Sequence, residues 1–189
     1  MTLRLWFAAV ALLAPSSAGA DLPSRREASL LSPVPSACVS SPFGPRVLPN
    51  RPLAGTFHNG VDMPAPAGEA VRATAPGQVM RIQRKGPGGL EVLVQHDGFV
   101  GIYSHLGMVT PALAEGKTVL AAGEKIGVVE HSGLTYGMHL YFEMLLTGRP
   151  VDPAPYLNVS LCSGAIRTRA DMITSDDKIP PTRHYADHN

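Results

Sequence analysis

Gly137-Met138-His139-Leu140-Tyr141-Phe142-Glu143-Met144-Leu145-Leu146 is the stretch that decides how this chain folds. Side chains on an extended strand alternate between two faces. His139, Tyr141, Glu143 and Leu145 therefore share one side, and Met138, Leu140, Phe142 and Met144 share the other. The second set is apolar throughout and is expected to line a core. The first set begins with three titratable side chains, which a core does not accept without partners. His139 and Tyr141 stand about 6.5–7 Å apart along such a strand, close enough to address one small site. Taken alone, the segment reads as a half-buried antiparallel strand with a wet polar face.

The chain on either side has the same texture of short apolar runs separated by turn chemistry. Leu90 to His96 is a β-rich run, Asp97-Gly98 is a hairpin signal, and Phe99 to Ser104 is the expected partner strand, ending at His105. Val79 to Gln83 alternates and runs into the turn Lys85-Gly86-Pro87-Gly88-Gly89. Lys117 to Leu120 and Lys125 to Val129 bracket Ala122-Gly123, and Thr147-Gly148 closes the opening strand. With 19 Gly and 18 Pro among 189 residues, many turns and few helices are expected. The pattern predicts a mostly β fold, a single domain rich in antiparallel sheet with few short helices. No heptads, no fixed-period repeat and no second domain are visible.

The two ends read differently. Residues 1–20 have the form of a secretory signal: Arg4, a short apolar run from Leu5 to Pro15, and an Ala18-Gly19-Ala20 cleavage site. That run is too short to span a bilayer, so no stable membrane insertion is expected once the signal is cleaved. Secretion across the inner membrane to a periplasmic or extracellular location follows. Residues 21–41 are Ser/Pro/Arg-rich and are expected to form a leader on the surface, 42–160 the folded domain, and 161–189 a C-terminal segment with a mobile tail. Losing Arg4 with the signal leaves 15 basic against 15 acidic residues, a neutral balance that argues against nucleic acid as a partner. Cys38 and Cys162 lie in what would be an oxidising compartment and are expected to pair, tying the leader to the segment after the domain. Closing so long a loop contributes about 4–5 kcal/mol in the chain-entropy description.

A second stretch, His58-Asn59-Gly60-Val61-Asp62, sets an imidazole and a carboxylate four residues apart around a glycine. Zinc accepts both donor types, although H-x-x-x-D is common by chance and equally describes a turn with a polar cap. The order His58…Asp62, then Tyr103-Ser104-His105-Leu106, then Gly137-Met138-His139-Leu140-Tyr141-Phe142-Glu143 is more specific. It resembles the LytM/lysostaphin-type zinc endopeptidases, which cleave the peptides of bacterial peptidoglycan. The resemblance covers about residues 41–157 and includes Phe43-Gly44-Pro45-Arg46, Ala73-Thr74-Ala75-Pro76-Gly77 and Val151-Asp152-Pro153. It implies a substrate groove across the sheet with one zinc at its floor. His58 and Asp62 would be two zinc ligands, and His105 and His139 the histidines that handle the attacking water and the tetrahedral intermediate. Peptidoglycan peptides would be the substrate, although groove loops such as Asn50 to Thr56 carry no readable specificity code.

The family's third ligand is a histidine two residues after the one matching His139. This chain has Tyr141 there. Neutral imidazole binds a metal without losing a proton, whereas a phenol must first give one up from a pKa of about 10. Zinc affinity at neutral pH is expected to fall, and with it the Lewis-acid geometry on which hydrolysis depends. Glu143, His131, His96, His184 and His188 are poorly placed in sequence to restore the set. Two functions follow from the resemblance. One is a peptidoglycan metalloendopeptidase with a weakened zinc site. The other is a degenerate module that binds peptidoglycan or regulates a cell-wall hydrolase such as an amidase.

Overall fold

The computed structural model describes residues 30–46 and 55–164. The signal expected at 1–20, the leader's first part (21–29), residues 50–54 of the groove loop, and the tail from 165 onward with His184 and His188 lie outside them. Eleven strands and two single-turn helices make up the described chain. The strands are β1 (Gly44–Pro45), β2 (Phe57–His58), β3 (Gly60–Pro64), β4 (Ala70–Arg72), β5 (Gly77–Lys85), β6 (Gly89–His96), β7 (Phe99–Val109), β8 (Val119–Leu120), β9 (Lys125–Val129), β10 (His139–Leu146) and β11 (Arg149–Val151). The helices are α1 (Pro111–Ala114) and α2 (Ala154–Leu157). The expected mostly β, antiparallel architecture with few helices is what forms.

One nine-stranded sheet runs β11-β10-β7-β6-β5-β8, with β3 sharing with β11 the edge of β10 that faces away from β7, and β9 joining β7 to β4. The Asp97-Gly98 turn closes the β6–β7 hairpin, in which His96 pairs with Phe99. Strand β10 is central. Its alternation puts Leu140, Phe142 and Met144 in the core, each no more than 2 % exposed. Met138 departs from that expectation: it precedes the strand and is 41 % exposed. The other face leaves His139, Tyr141 and Glu143 half-buried.

One further expectation is corrected and another is met. The leader does not merely lie on the surface, because Val34 and Val39 are fully buried and the chain from Leu30 bonds to Tyr156, Thr74 and Arg72 backbones. Apolar side chains in a Ser/Pro-rich segment have no periodicity to betray them, so only the tertiary contact identifies them as core. The pairing of Cys38 with Cys162 does form, across a separation of 124 residues.

His96 is part of the core. It is buried beside Phe99, donates from Nδ1 to the Pro76 carbonyl (3.0 Å), and its Nε2 accepts from the Tyr103 hydroxyl (3.1 Å). That hydroxyl in turn accepts from the Thr74 amide at 3.0 Å, and burial pushes its pKa up to about 12. Burial lowers the His96 pKa below its ordinary value, against a smaller opposing effect of the Pro76 and Ala75 carbonyls. Below about pH 6.5 the unfolded chain therefore takes up a proton that the folded chain refuses, and stability declines as pH falls through that range. Urea unfolding should show a lower midpoint at pH 5.5 than at 7.5, with a shallower pH slope in His96→Gln. An unchanged slope in the variant would remove His96 as the cause; His105, also shifted down, would then carry it.

Candidate functional site

The sheet brings the two informative stretches together by register. Tyr141 on β10 pairs with Asp62 on β3 at one edge and with Ser104 on β7 at the other. Gly60 permits the approach of β3. A Cβ there would collide with the Phe142 carbonyl and abut the Tyr141 ring, so close packing explains this residue better than flexibility does. On β7, His105 follows Ser104 with φ of 66°, a left-handed conformation unusual for a residue with a side chain. There β7 leaves β10 and continues against β9. The imidazole thus lands over the same floor, with its ring 4.8 Å from that of His139 and 6.1 Å from that of Tyr141.

Three histidines are oriented alike. His58 Nδ1 faces the Pro42 carbonyl at 3.0 Å, His105 Nδ1 the Ser132 carbonyl at 2.9 Å, and His139 Nδ1 the Gly137 carbonyl at 2.9 Å. A carbonyl can only accept, so each Nδ1 carries the hydrogen and each ring turns Nε2 inward. The Nε2 atoms of His58 and His139 lie 3.2 and 3.4 Å from the same Asp62 oxygen, Oδ1. The second oxygen, Oδ2, lies 3.6 Å from Arg46. Burial by itself would raise the Asp62 pKa; hydrogen bonds from His139 and His58 and their charge outweigh it and hold the carboxyl well below the usual range.

Tyr141 takes no part in that convergence. Its ring is 5.3 Å from the His58 ring, but its hydroxyl donates to Glu143 Oε2 at 2.7 Å. Burial, the Glu143 charge and that hydrogen bond all push the phenol pKa up, which keeps the proton on oxygen. Burial likewise raises Glu143, with the Tyr141 hydrogen bond opposing and the Glu91 charge adding. Among the described residues, no group of three His, Cys, Asp or Glu side chains is arranged to hold a metal ion. The donors present therefore do not fit a three-ligand zinc centre of the kind the fold implies. Of the other residues weighed as substitutes, His131 is exposed, His96 belongs to the core, and Glu143 is engaged with Tyr141.

His58, Asp62, His105, His139 and Tyr141 line a groove of about 580 Å³. Phe57 forms one rim, and Leu134, Tyr136 and Met138 the other, each more than 40 % exposed. Arg46, Ser41, Glu91 and Thr135 also belong to the site, and sequence reasoning missed a role for each. Only the motif Phe43-Gly44-Pro45-Arg46 offered a signal, since Arg46 lies in a stretch already singled out. Among the described residues, no helix is long and apolar enough to cross a membrane.

Comparison with known proteins gives the family. The DD-carboxypeptidase/endopeptidase Mpg of Neisseria meningitidis is 37% identical over 118 residues, 61% of this chain and 26% of that protein. The peptidoglycan DD-endopeptidase ShyA of Vibrio cholerae is 31% identical over 126 residues, 66% of this chain and 28% of that protein. The chain thus spans about a quarter of the length of the curated relatives it matches. A crystal structure of a zinc containing peptidase from Vibrio cholerae superposes with a TM-score of 0.55 at 25% identity, covering 70% of this chain and 39% of that one. The profile of Peptidase family M23 matches residues 56–153, more than half of the sequence, including His58, Asp62, His105, His139 and Tyr141. This chain belongs to peptidase family M23.

Proposed function

We propose that this chain is an exported, peptidoglycan-directed M23 domain that holds cell-wall peptides in its groove, and that its zinc centre is weakened by Tyr141. The observation that carries the reading is the Tyr141 hydroxyl donating to Glu143 at 2.7 Å instead of turning towards Asp62. A protonated phenol engaged elsewhere is a poor replacement for a neutral imidazole. His58 and Asp62 remain as the two retained ligand positions, and Tyr141 is the third position in name only. His105 and His139 are the side chains placed to exchange protons with a bound peptide: each turns Nε2 into the groove, and each ring is held by a backbone carbonyl. The relatives' names, both of them endopeptidases, support the wall peptide as the ligand class. Periplasmic or extracellular placement rests on the signal-like residues 1–20 and on the oxidised cysteine pair.

A second reading is favoured by the missing three-donor group: a non-catalytic module that occupies the wall and regulates a hydrolase such as an amidase. Sedimentation with purified peptidoglycan sacculi, followed by assay of released muropeptides, separates the two. Binding with slow zinc-dependent release supports the weakened enzyme. Binding without release, together with stimulation of an added amidase, supports the regulatory module. Absence of binding to sacculi would overturn both.

A further inference from the structure

Strand β3, which carries Asp62, would be an edge of the sheet if β10 were its only neighbour, and edge strands leave a row of backbone groups without a fixed partner. The chain just after Cys38 covers that edge. Ser40 N donates to the Asp62 carbonyl at 2.9 Å, and Asp62 N donates to the Ser41 carbonyl at 3.0 Å. Two residues on, β1 pairs with β2 so that Gly44 lies opposite His58. The same segment reaches the side chains. The Pro42 carbonyl takes the His58 Nδ1 hydrogen, and Ser41 Oγ lies 3.4 Å from that nitrogen. Arg46 donates to Ser41 Oγ at 2.8 Å while facing Asp62 Oδ2 at 3.6 Å.

The near end of this segment is tied down independently of the site. Cys38 is bonded to Cys162, Val39 is fully buried, and Val39 exchanges backbone hydrogen bonds with Ser160 and Cys162. We propose that residues 38–46 are a disulfide-anchored strap that positions the His58–Asp62 pair, with Ser41 and Arg46 as its positioning residues. The strap sets the Asp62 backbone from the side that β10 does not reach. It also fixes the orientation of the His58 ring, because the Pro42 carbonyl can only face an N–H at Nδ1. The sheet alone holds Asp62 from one side only, through its pairing with Tyr141, and the β3–β10 ladder begins at Gly60, beyond His58. This deepens the proposed function, resting on His58 and Asp62 as its working pair.

The test is made on the full chain with its disulfide intact, comparing wild type with Ser41→Ala, Arg46→Met and Arg46→Lys. Amide exchange reports the Asp62 N–H against Val92 in the β6 core, and long-range proton–nitrogen NMR reports the His58 Nδ1–H. Arg46→Met and Ser41→Ala should each speed exchange at Asp62 by about tenfold with Val92 unchanged. The His58 Nδ1–H should also exchange faster in both, and Arg46→Lys should restore the wild-type pattern in part. A Cys38→Ala/Cys162→Ala chain should lose Asp62 protection by about tenfold more than it loses Val92 protection. Unchanged Asp62 and His58 signals, or changes that only keep pace with Val92, would overturn the positioning role. Neither readout involves the cell wall, so failure of the strap leaves the wall-directed reading standing, and failure to bind sacculi leaves the strap standing.

Discussion

Tyr141→His is expected to raise zinc affinity by about a hundredfold to a thousandfold at pH 7, since deprotonating a phenol of pKa about 10 costs about three powers of ten that imidazole does not incur. The local environment accentuates the difference. Burial and the neighbouring Glu143 charge push the Tyr141 pKa further up, and the hydroxyl is already committed to Glu143. Metal analysis of the dialysed protein should find substoichiometric zinc in the wild type and close to one ion per chain in the variant. Muropeptide release from sacculi should rise with that occupancy. Wild-type protein that already carries one zinc per chain and digests peptidoglycan would end the weakened-centre reading. So would a variant that remains metal-poor, because the phenol would then not be what limits binding. Tyr141→Phe distinguishes loss of a ligand from loss of a hydrogen bond: if the hydroxyl contributes nothing to the metal, its zinc content should match the wild type.

Phe142→Ala should lower stability by about 3–5 kcal/mol, the range for removing a buried aromatic ring from a packed core. Phe142 is fully buried, and its ring lies 5.0 Å from that of Tyr103, its register partner on β7. Its strand is held by β3, β7 and β11, so the cavity cannot collapse without disturbing three ladders. Against total stabilities of about 5–15 kcal/mol, such a loss removes a large fraction of the margin. Thermal unfolding should fall by about 10–20 °C. Met138→Ala, four residues earlier on the same nominal face, should change the midpoint little, because Met138 is exposed before the strand begins. Comparable losses in the two variants would refute the observed start of β10 at His139.

Much of the site was legible because strand alternation is local. Once Met138 to Leu146 is read as extended, Leu140, Phe142 and Met144 must leave one side, and His139, Tyr141 and Glu143 the other. The substitution at Tyr141 was equally plain, since a residue type needs no coordinates. What the phenol does was not. Its hydrogen bond to Glu143 depends on the rotamers of two side chains on one strand and on the pocket formed by His58 and β7. The leader shows the same limit from the other direction. A stretch rich in Ser, Pro and Arg has no periodicity, so nothing in it announced that Val34 and Val39 enter the core or that Ser40 and Ser41 bond to Asp62.

By itself, then, the sequence determined the strand pattern, the family resemblance, the near-neutral charge and the odd ligand, because each of these is a property of composition or of neighbours a few positions apart. Only the tertiary structure decided that two imidazoles converge on one oxygen of Asp62, that Tyr141 turns to Glu143, and that a strap beginning at Cys38 closes the far side of the site. Those outcomes join segments up to 124 residues apart, and a contact over that distance is set by how the whole sheet packs rather than by any pattern in the chain.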